Sequence, residues 1–314
     1  MARLTADGVE IGDGPVLVTG AAGFVGRHLM EHLKMGPGDF ASDVSEDFPA
    51  PDGVTKLAWR LPALPPGSLG PVRHVVHLAA LSSVSKSLGE TLDVYTVNVA
   101  GAVSVLEYAA SRCSGARILL VSSAEVYGSA GGRIAETAPI RPQNPYGGSK
   151  AAAEVAARQF EISSGLDIVV ARPFPHFGPY QARGFALPSF AARIAQAVKE
   201  GRPEIVAGNL APVRDFTYVT DVASAYGILL ARGGRGEVYN VGSGEPRSIS
   251  DMLGLLLGIS GAKLSVRMDP SLLRPSDVSF QVCDPSKLEG LGWKRRVPVE
   301  KGLSELLRWW EDRV

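Results

Sequence analysis

The sequence predicts a doubly wound α/β fold, a parallel sheet covered by helices on both faces. Three observations carry that expectation. Short apolar runs recur without polar alternation, at "PVLVTG" (15–20), "HVVHLAA" (74–80), "RILLVSS" (117–123) and "DIVVARP" (167–173), as strands buried on both faces do. Segments with helical spacing lie between them: "RHLMEHL" after the first, then "NVAGAVSVLEYAASR" (98–112) and "SKAAAEVAARQFEISS" (149–164). The first strand also leads straight into a glycine-spaced turn, "TGAAGFVG", followed by a helix.

Residues 1–173 therefore read as one α/β domain. Beyond them the texture changes, because Pro, Gly and aromatic residues cluster in "RPFPHFGPYQARGFALP". Residues 174–314 are expected to form a smaller α/β lobe. Segments near 213–245, including the strand-like "GEVYNVGSG" (236–244), are expected to return to the first domain. The tail "VEKGLSELLRWWEDRV" has amphipathic helical spacing, "RLPALPPGSLGP" (60–71) reads as a Pro/Gly-rich surface loop, and no internal repeat is visible.

Composition narrows the function classes. With 314 residues and 45% hydrophobic content the chain can bury a sizeable core. Lys+Arg and Asp+Glu both total 32, so no excess of positive charge points to nucleic acid or an anionic membrane surface. The two cysteines, Cys113 and Cys283, make no disulfide framework and match no metal-ligand spacing, which places the protein in a reducing cytoplasm with no metal expected. The first residues carry no apolar stretch of signal-peptide length, and runs such as "MLGLLLGI" are too short to span a bilayer.

Gly20, Gly23 and Gly26 stand three residues apart between the first strand and the first helix. Glycines there permit a tight turn and a close backbone approach to a pyrophosphate, which the helix N-terminus then faces with its amides. Asp43, 17 residues after Gly26, falls where the second strand ends. A carboxylate there accepts hydrogen bonds from an adenosine ribose and repels a 2′-phosphate, and "SDVSEDF" offers no Lys or Arg to welcome one, so NAD is favoured over NADP. The alternative is that Asp43 is one of several exposed acids. In "NPYGGSK", Tyr146 precedes Lys150 by four residues, one helical turn. A phenol with a pKa near ~10 is a poor acid or base at neutral pH, and an ammonium beside it brings the proton into use.

Taken in order, "TGAAGFVG", "HLAA", Asn98, "SSAEVYG" and "PYGGSK" resemble the extended short-chain dehydrogenase/reductases that act on nucleotide sugars, the NAD-dependent epimerase/dehydratase family. The resemblance runs on through "ARPFPHFGPYQ", "VRDFTYVTDVASAY", "YNVGSG" and "LRPSDV", nearly the whole chain. It implies a Rossmann domain in which Gly20, Ala22, Gly23, Phe24, Val25, Gly26, Asp43, Leu78, Ala79, Ala80, Asn98 and Pro173 line the NAD cleft. It makes Tyr146 the acid/base at the sugar C4 oxygen, with Ser123 on the same oxygen and Lys150 holding the nicotinamide ribose. Ser123, Glu125 and His176 would face the nucleotide-diphosphate sugar, and Arg214 and Arg274 would grip its diphosphate. Relatives pair through two helices per subunit, which makes the chain a homodimer with the helices at 98–112 and 149–164 as candidates.

Two departures stand out. Pro175 replaces the asparagine of "RPFN" and offers no donor, and Arg60 in "WRLP" replaces an adenine-contacting Asp. On reaction type, Glu125 sits where dehydratases carry a base, but Ala124 before it has no proton to give. The second half looks most like the GDP-4-keto-6-deoxy-mannose reductases. The resemblance thus implies a C4 ketoreductase of a GDP-linked 4-keto-6-deoxy hexose, with a 4,6-dehydratase or 4-epimerase holding NAD tightly as the alternative.

Overall fold

Period-two burial builds the central sheet of the computed structural model, which describes residues 3–272 and 279–314. In the strand Val16–Thr19, Val16 and Val18 enter one core and Leu17 the other; in Arg117–Val121, Ile118 and Leu120 share Leu17's side while Leu119 and Val121 join the first core. Seven parallel strands lie in the order Val238–Val241, Asp167–Pro173, Arg117–Val121, His74–His77, Val16–Thr19, Phe40–Asp43, Thr55–Ala58. Helices Phe24–His32 and Val219–Arg232 pack on one face, Gly101–Arg112 and Pro145–Ser164 on the other. The expected doubly wound fold is therefore present. Its strand order reverses at Val16–Thr19, which opens a crevice at the carboxyl ends of that strand and of His74–His77.

A third core lies after the sheet. Helices Ala186–Glu200, Ile249–Ser260 and Val299–Glu311 bury Leu187, Phe190, Ile194, Met252, Leu256, Leu303 and Leu307 against one another. Beside them runs a four-stranded sheet ordered Pro246–Ser248, Val213–Asp215, Phe280–Cys283, Gly132–Ile134. The segment 213–245 is thus divided, its first strand in this small sheet and its helix and last strand in the large one. Gly132–Ile134 crosses in the other direction. Asp215 knots the crossing together: its buried carboxylate accepts Ser243 N at 2.8 Å, Gly244 N at 2.7 Å and Cys283 N at 3.2 Å.

The stretch 60–71 is more than a surface loop. Leu61 and Leu69 join Trp59 in the core under helix Gly101–Arg112, and the Tyr108 hydroxyl donates to Gly70 O. The helix expected at 98–112 is preceded by Thr91–Tyr95 and a widened turn, Thr96–Ala100, that carries Asn98. Among the described residues no helix is long and apolar enough to cross a membrane.

Candidate active site

The crevice at the strand ends is a cleft of about 1350 Å³, larger than the ~300–1,000 Å³ of a pocket for one small ligand. Its cofactor wall is the turn between the first strand and helix Phe24–His32. Gly20 has φ +70°, and a Cβ there would lie 2.7 Å from Ala79 N; a Cβ at Gly26 would lie 2.6 Å from Gly20 O and 2.7 Å from Ala21 O. Only glycine lets the turn close on its neighbours and the helix sit directly over it. The first helical turn holds no acidic residue, so its amides and positive dipole end are unopposed. Asp43 ends its strand, where its carboxylate accepts Ala22 N at 3.0 Å and Val44 N at 2.8 Å. A glycine cradle, an open helix start and a carboxylate at the rim fit a dinucleotide.

The chemical wall begins with helix Pro145–Ser164. Asn144 caps it by accepting Gly147 N at 2.8 Å, and Pro145 fills the first helical position. One turn apart, Tyr146 and Lys150 both line the cleft. Ser123 emerges at the end of Arg117–Val121 in extended backbone, accepts Glu125 N at 3.2 Å and hydrogen-bonds Tyr146. Glu125 is half-buried, and its Oε2 accepts the Asn144 side-chain amide at 2.8 Å.

Burial pushes the Tyr146 phenol up to about 12; the Ser123 hydrogen bond pulls it down and the Glu125 charge adds to the rise. Lys150 is brought down to about 8 by burial, with Glu154 pulling it upward, and its ammonium donates to Val121 O at 2.7 Å. In the protein alone Tyr146 therefore keeps its proton across neutral pH. The Tyr–Lys spacing leads one to expect a lowered phenol; burial raises it instead. His77 falls to about 3, through burial and then the charge of Lys150; this neutral ring pairs with Thr19 Oγ1 at 2.8 Å. His176, also lowered by burial, donates Nδ1–H to Phe174 O at 2.9 Å and stacks on Phe24 with ring centres 5.8 Å apart.

A tyrosine, lysine and serine gathered beside a dinucleotide cradle form a dehydrogenase site, and comparison narrows it. The family model of GDP-mannose 4,6 dehydratase matches residues 71–306. The chain belongs to the GDP-mannose 4,6-dehydratase family. Its members are NAD(P)-dependent extended short-chain dehydrogenase/reductases, and this chain is an enzyme of that class. It is 34% identical to GDP-6-deoxy-D-mannose reductase of Pseudomonas aeruginosa, over 95% of this chain and 98% of that one. It is 30% identical to dTDP-glucose 4,6-dehydratase of an Actinoplanes species, over 94% and 97%. A solved structure of RMD from Pseudomonas aeruginosa complexed with NADPH superposes with a TM-score of 0.81 at 31% identity, covering 96% of this chain and all of that one.

Against this 4,6-dehydratase-family frame, the cleft brings together Gly20, Ala22, Gly23, Phe24, Val25, Gly26, Asp43, Leu78, Ala79, Ala80, Ser123, Glu125, Tyr146, Lys150, Pro173, His176 and Arg214. Pro175 and Arg60 line it too. Asn98 does not reach it: the widened turn buries its amide, which accepts Leu81 N at 2.8 Å and donates to Leu81 O at 3.1 Å and Ser149 Oγ at 2.9 Å, bracing the wall from behind. Arg274 lies outside the described residues. Sequence reading missed Asn144, although an Asn before a Pro-led helix is a capping signal. It also missed Tyr226 and Arg193, which line the cleft from helices that bury much of their length in the core and which carry no local signal.

Proposed function

We propose that the chain is a ketoreductase of a GDP-linked 4-keto-6-deoxy hexose. One observation carries the choice within the family: among the described residues the side-chain hydrogen bond of the Glu125 carboxylate is to the amide of Asn144, not to an acid or a hydroxyl. Its neighbour Ala124 is a buried methyl, and its own carboxylate is held by the neutral amide of Asn144. Eliminating water from a hexose requires both a base for one carbon and an acid for the departing hydroxyl, and Ala124, the residue beside Glu125, cannot supply that acid. The full-length likeness to a GDP-6-deoxy-D-mannose reductase points the same way.

In this reading NAD(P)H, when bound, supplies the hydride. Tyr146 gives its proton to the C4 oxygen, Ser123 donates a hydrogen bond to that oxygen and orients it, and Lys150 holds the ribose next to the reacting ring. Asp43 and the Gly20–Gly26 turn seat the dinucleotide. Residues 174–314 mainly bind the nucleotide sugar, with Arg214 on its diphosphate, a group that guanidinium forks match bidentately. The test is direct. Incubation with GDP-4-keto-6-deoxymannose and NADH or NADPH is expected to consume the reduced cofactor, whereas GDP-mannose without added cofactor is expected to stay unchanged; formation of a keto sugar in the second mixture would overturn the reductase reading in favour of a dehydratase.

The protein is further assigned to the cytoplasm as a homodimer. Leu92, Val155 and Ile162 are 79%, 70% and 72% exposed on adjoining helical segments, an apolar surface suited to a second copy. Val155→Glu is expected to convert a dimer to a monomer in sedimentation velocity, and a wild-type monomer would refute the assignment.

A further inference from the structure

Beneath the cleft lies a charge network whose centre does not reach it. Glu154 stands one turn after Lys150 on helix Pro145–Ser164, and both are buried there. Glu154 Oε1 accepts Arg172 Nε at 3.0 Å and the Ser122 hydroxyl; Oε2 accepts Arg172 Nη2 at 2.6 Å. Arg172 also donates Nη1 to the Tyr127 hydroxyl at 2.9 Å, and that hydroxyl donates to Asn240 Oδ1 at 2.7 Å. The members are 8% (Glu154), 4% (Arg172) and 2% (Ser122) exposed. Taking such a pair out of water costs much of what its attraction returns, so stability alone is a weak reason for its presence.

Its position supplies another reason. Ser122 precedes Ser123, Arg172 precedes Pro173 at the cofactor wall, and Val121 O receives the Lys150 ammonium at 2.7 Å. The titratable groups facing Lys150 are His77 from the adjoining strand end and Tyr146 and Glu154 from its own helix, with Tyr226 beyond Tyr146. His77 is neutral and both tyrosines keep their protons, so among the described residues the counter-charge acting on Lys150 is Glu154.

We propose that Glu154 is a positioning residue of the cofactor site: tethered by Arg172 and Ser122, its carboxylate is the counter-charge of Lys150 one turn before it and ties the strand end bearing Ser123 to the helix bearing Tyr146. The proposal rests on the reading of Lys150 as the residue that holds the ribose. A buried lysine tends toward the neutral amine, and burial already brings this one to about 8, inside the working range of a cell. Removing the Glu154 charge lowers that value further, so the ammonium, and with it the grip on the cofactor, is lost at a lower pH.

The experiment measures the affinity of the folded enzyme for NADH and NADPH between pH 6 and 9.5. Wild type is expected to lose affinity as the pH rises through about 8. In Glu154→Gln the fall begins about one pH unit lower, while affinity at pH 6 stays within about threefold of wild type. Glu154→Asp, which retains the charge, keeps the wild-type profile. Should Glu154→Gln fold poorly, Glu154→Gln/Arg172→Met removes both ends of the pair, leaves neither end charged without the other and gives the same lowered profile. An unchanged profile in both variants, or a loss equal at every pH, overturns the proposal. Lys150→Met separates the two readings. If it weakens binding at pH 7, the role of Lys150 stands whatever Glu154 does; wild-type affinity in this variant removes that role and the proposal together.

Discussion

Replacing Tyr146 by phenylalanine lowers kcat for ketone reduction by about 10²–10⁴-fold, the range lost when a positioned proton donor is removed. Dinucleotide affinity changes little, because the ring remains and the cradle at Gly20–Gly26 is untouched. The physical reason is the environment of the phenol. Burial and the Glu125 charge hold it near 12, against the pull of Ser123, so it enters each reduction with its proton in place. Any alkaline loss of turnover near pH 8 then belongs to Lys150, whose ammonium burial has weakened, and not to Tyr146. Single-turnover reduction followed by cofactor absorbance, with cofactor titration alongside, measures both quantities. Turnover of Tyr146→Phe equal to wild type would remove Tyr146 from the proton-donating role.

Arg172→Met destabilises the fold by about 3–5 kcal/mol, since one partner of a buried, hydrogen-bonded ion pair is removed and the other loses its hydrogen-bonded counter-charge. Glu154 would lose two guanidinium donors, and the Tyr127 hydroxyl would lose a third. Replacing both partners, as in Glu154→Gln/Arg172→Met, recovers much of that loss because neither member of the pair is left charged without the other. Denaturant unfolding reads the difference as a lowered midpoint with an unchanged slope in the single variant. Equal midpoints for the single and double variants would show that the Arg172–Glu154 pairing contributes nothing specific. Surface pairs such as Arg267 with Glu204, more than two-fifths exposed on both sides, carry no comparable expectation because water already screens them.

Much of the site was legible because its chemistry is local. The glycine spacing of "TGAAGFVG" encodes a turn that no other residue can close, and Asp43 follows from where the second strand must end. The Tyr146–Lys150 spacing is one helical turn, and a Pro-led helix indeed begins at Pro145. What the spacing alone misjudged was the sign of the effect on Tyr146: the proximity of an ammonium can be read from four residues, whereas burial depends on Tyr226, Ser123 and the wall around them. Asn98 illustrates the same limit. Its place in the motif order is plain, but a widened helical turn directs its amide to Leu81 and Ser149 instead of the cleft.

By itself, then, the sequence determined the doubly wound sheet, the glycine turn after its first strand and the one-turn spacing of Tyr146 and Lys150, because each is written in periodicity or in spacings of a few residues; Ser123 entered only through the family resemblance. Tertiary structure alone decided the exchange of strands between the lobes. It brought Gly132–Ile134 beside Phe280–Cys283, a contact across some 150 positions that no local pattern encodes, and tied Cys283 to Asp215. It also decided that Glu125 meets Asn144, and that Arg172 and Glu154 form a charge pair under Lys150. These are encounters of side chains from separate elements in a low-dielectric interior, where burial sets the strength of each charge and only the completed fold sets the burial.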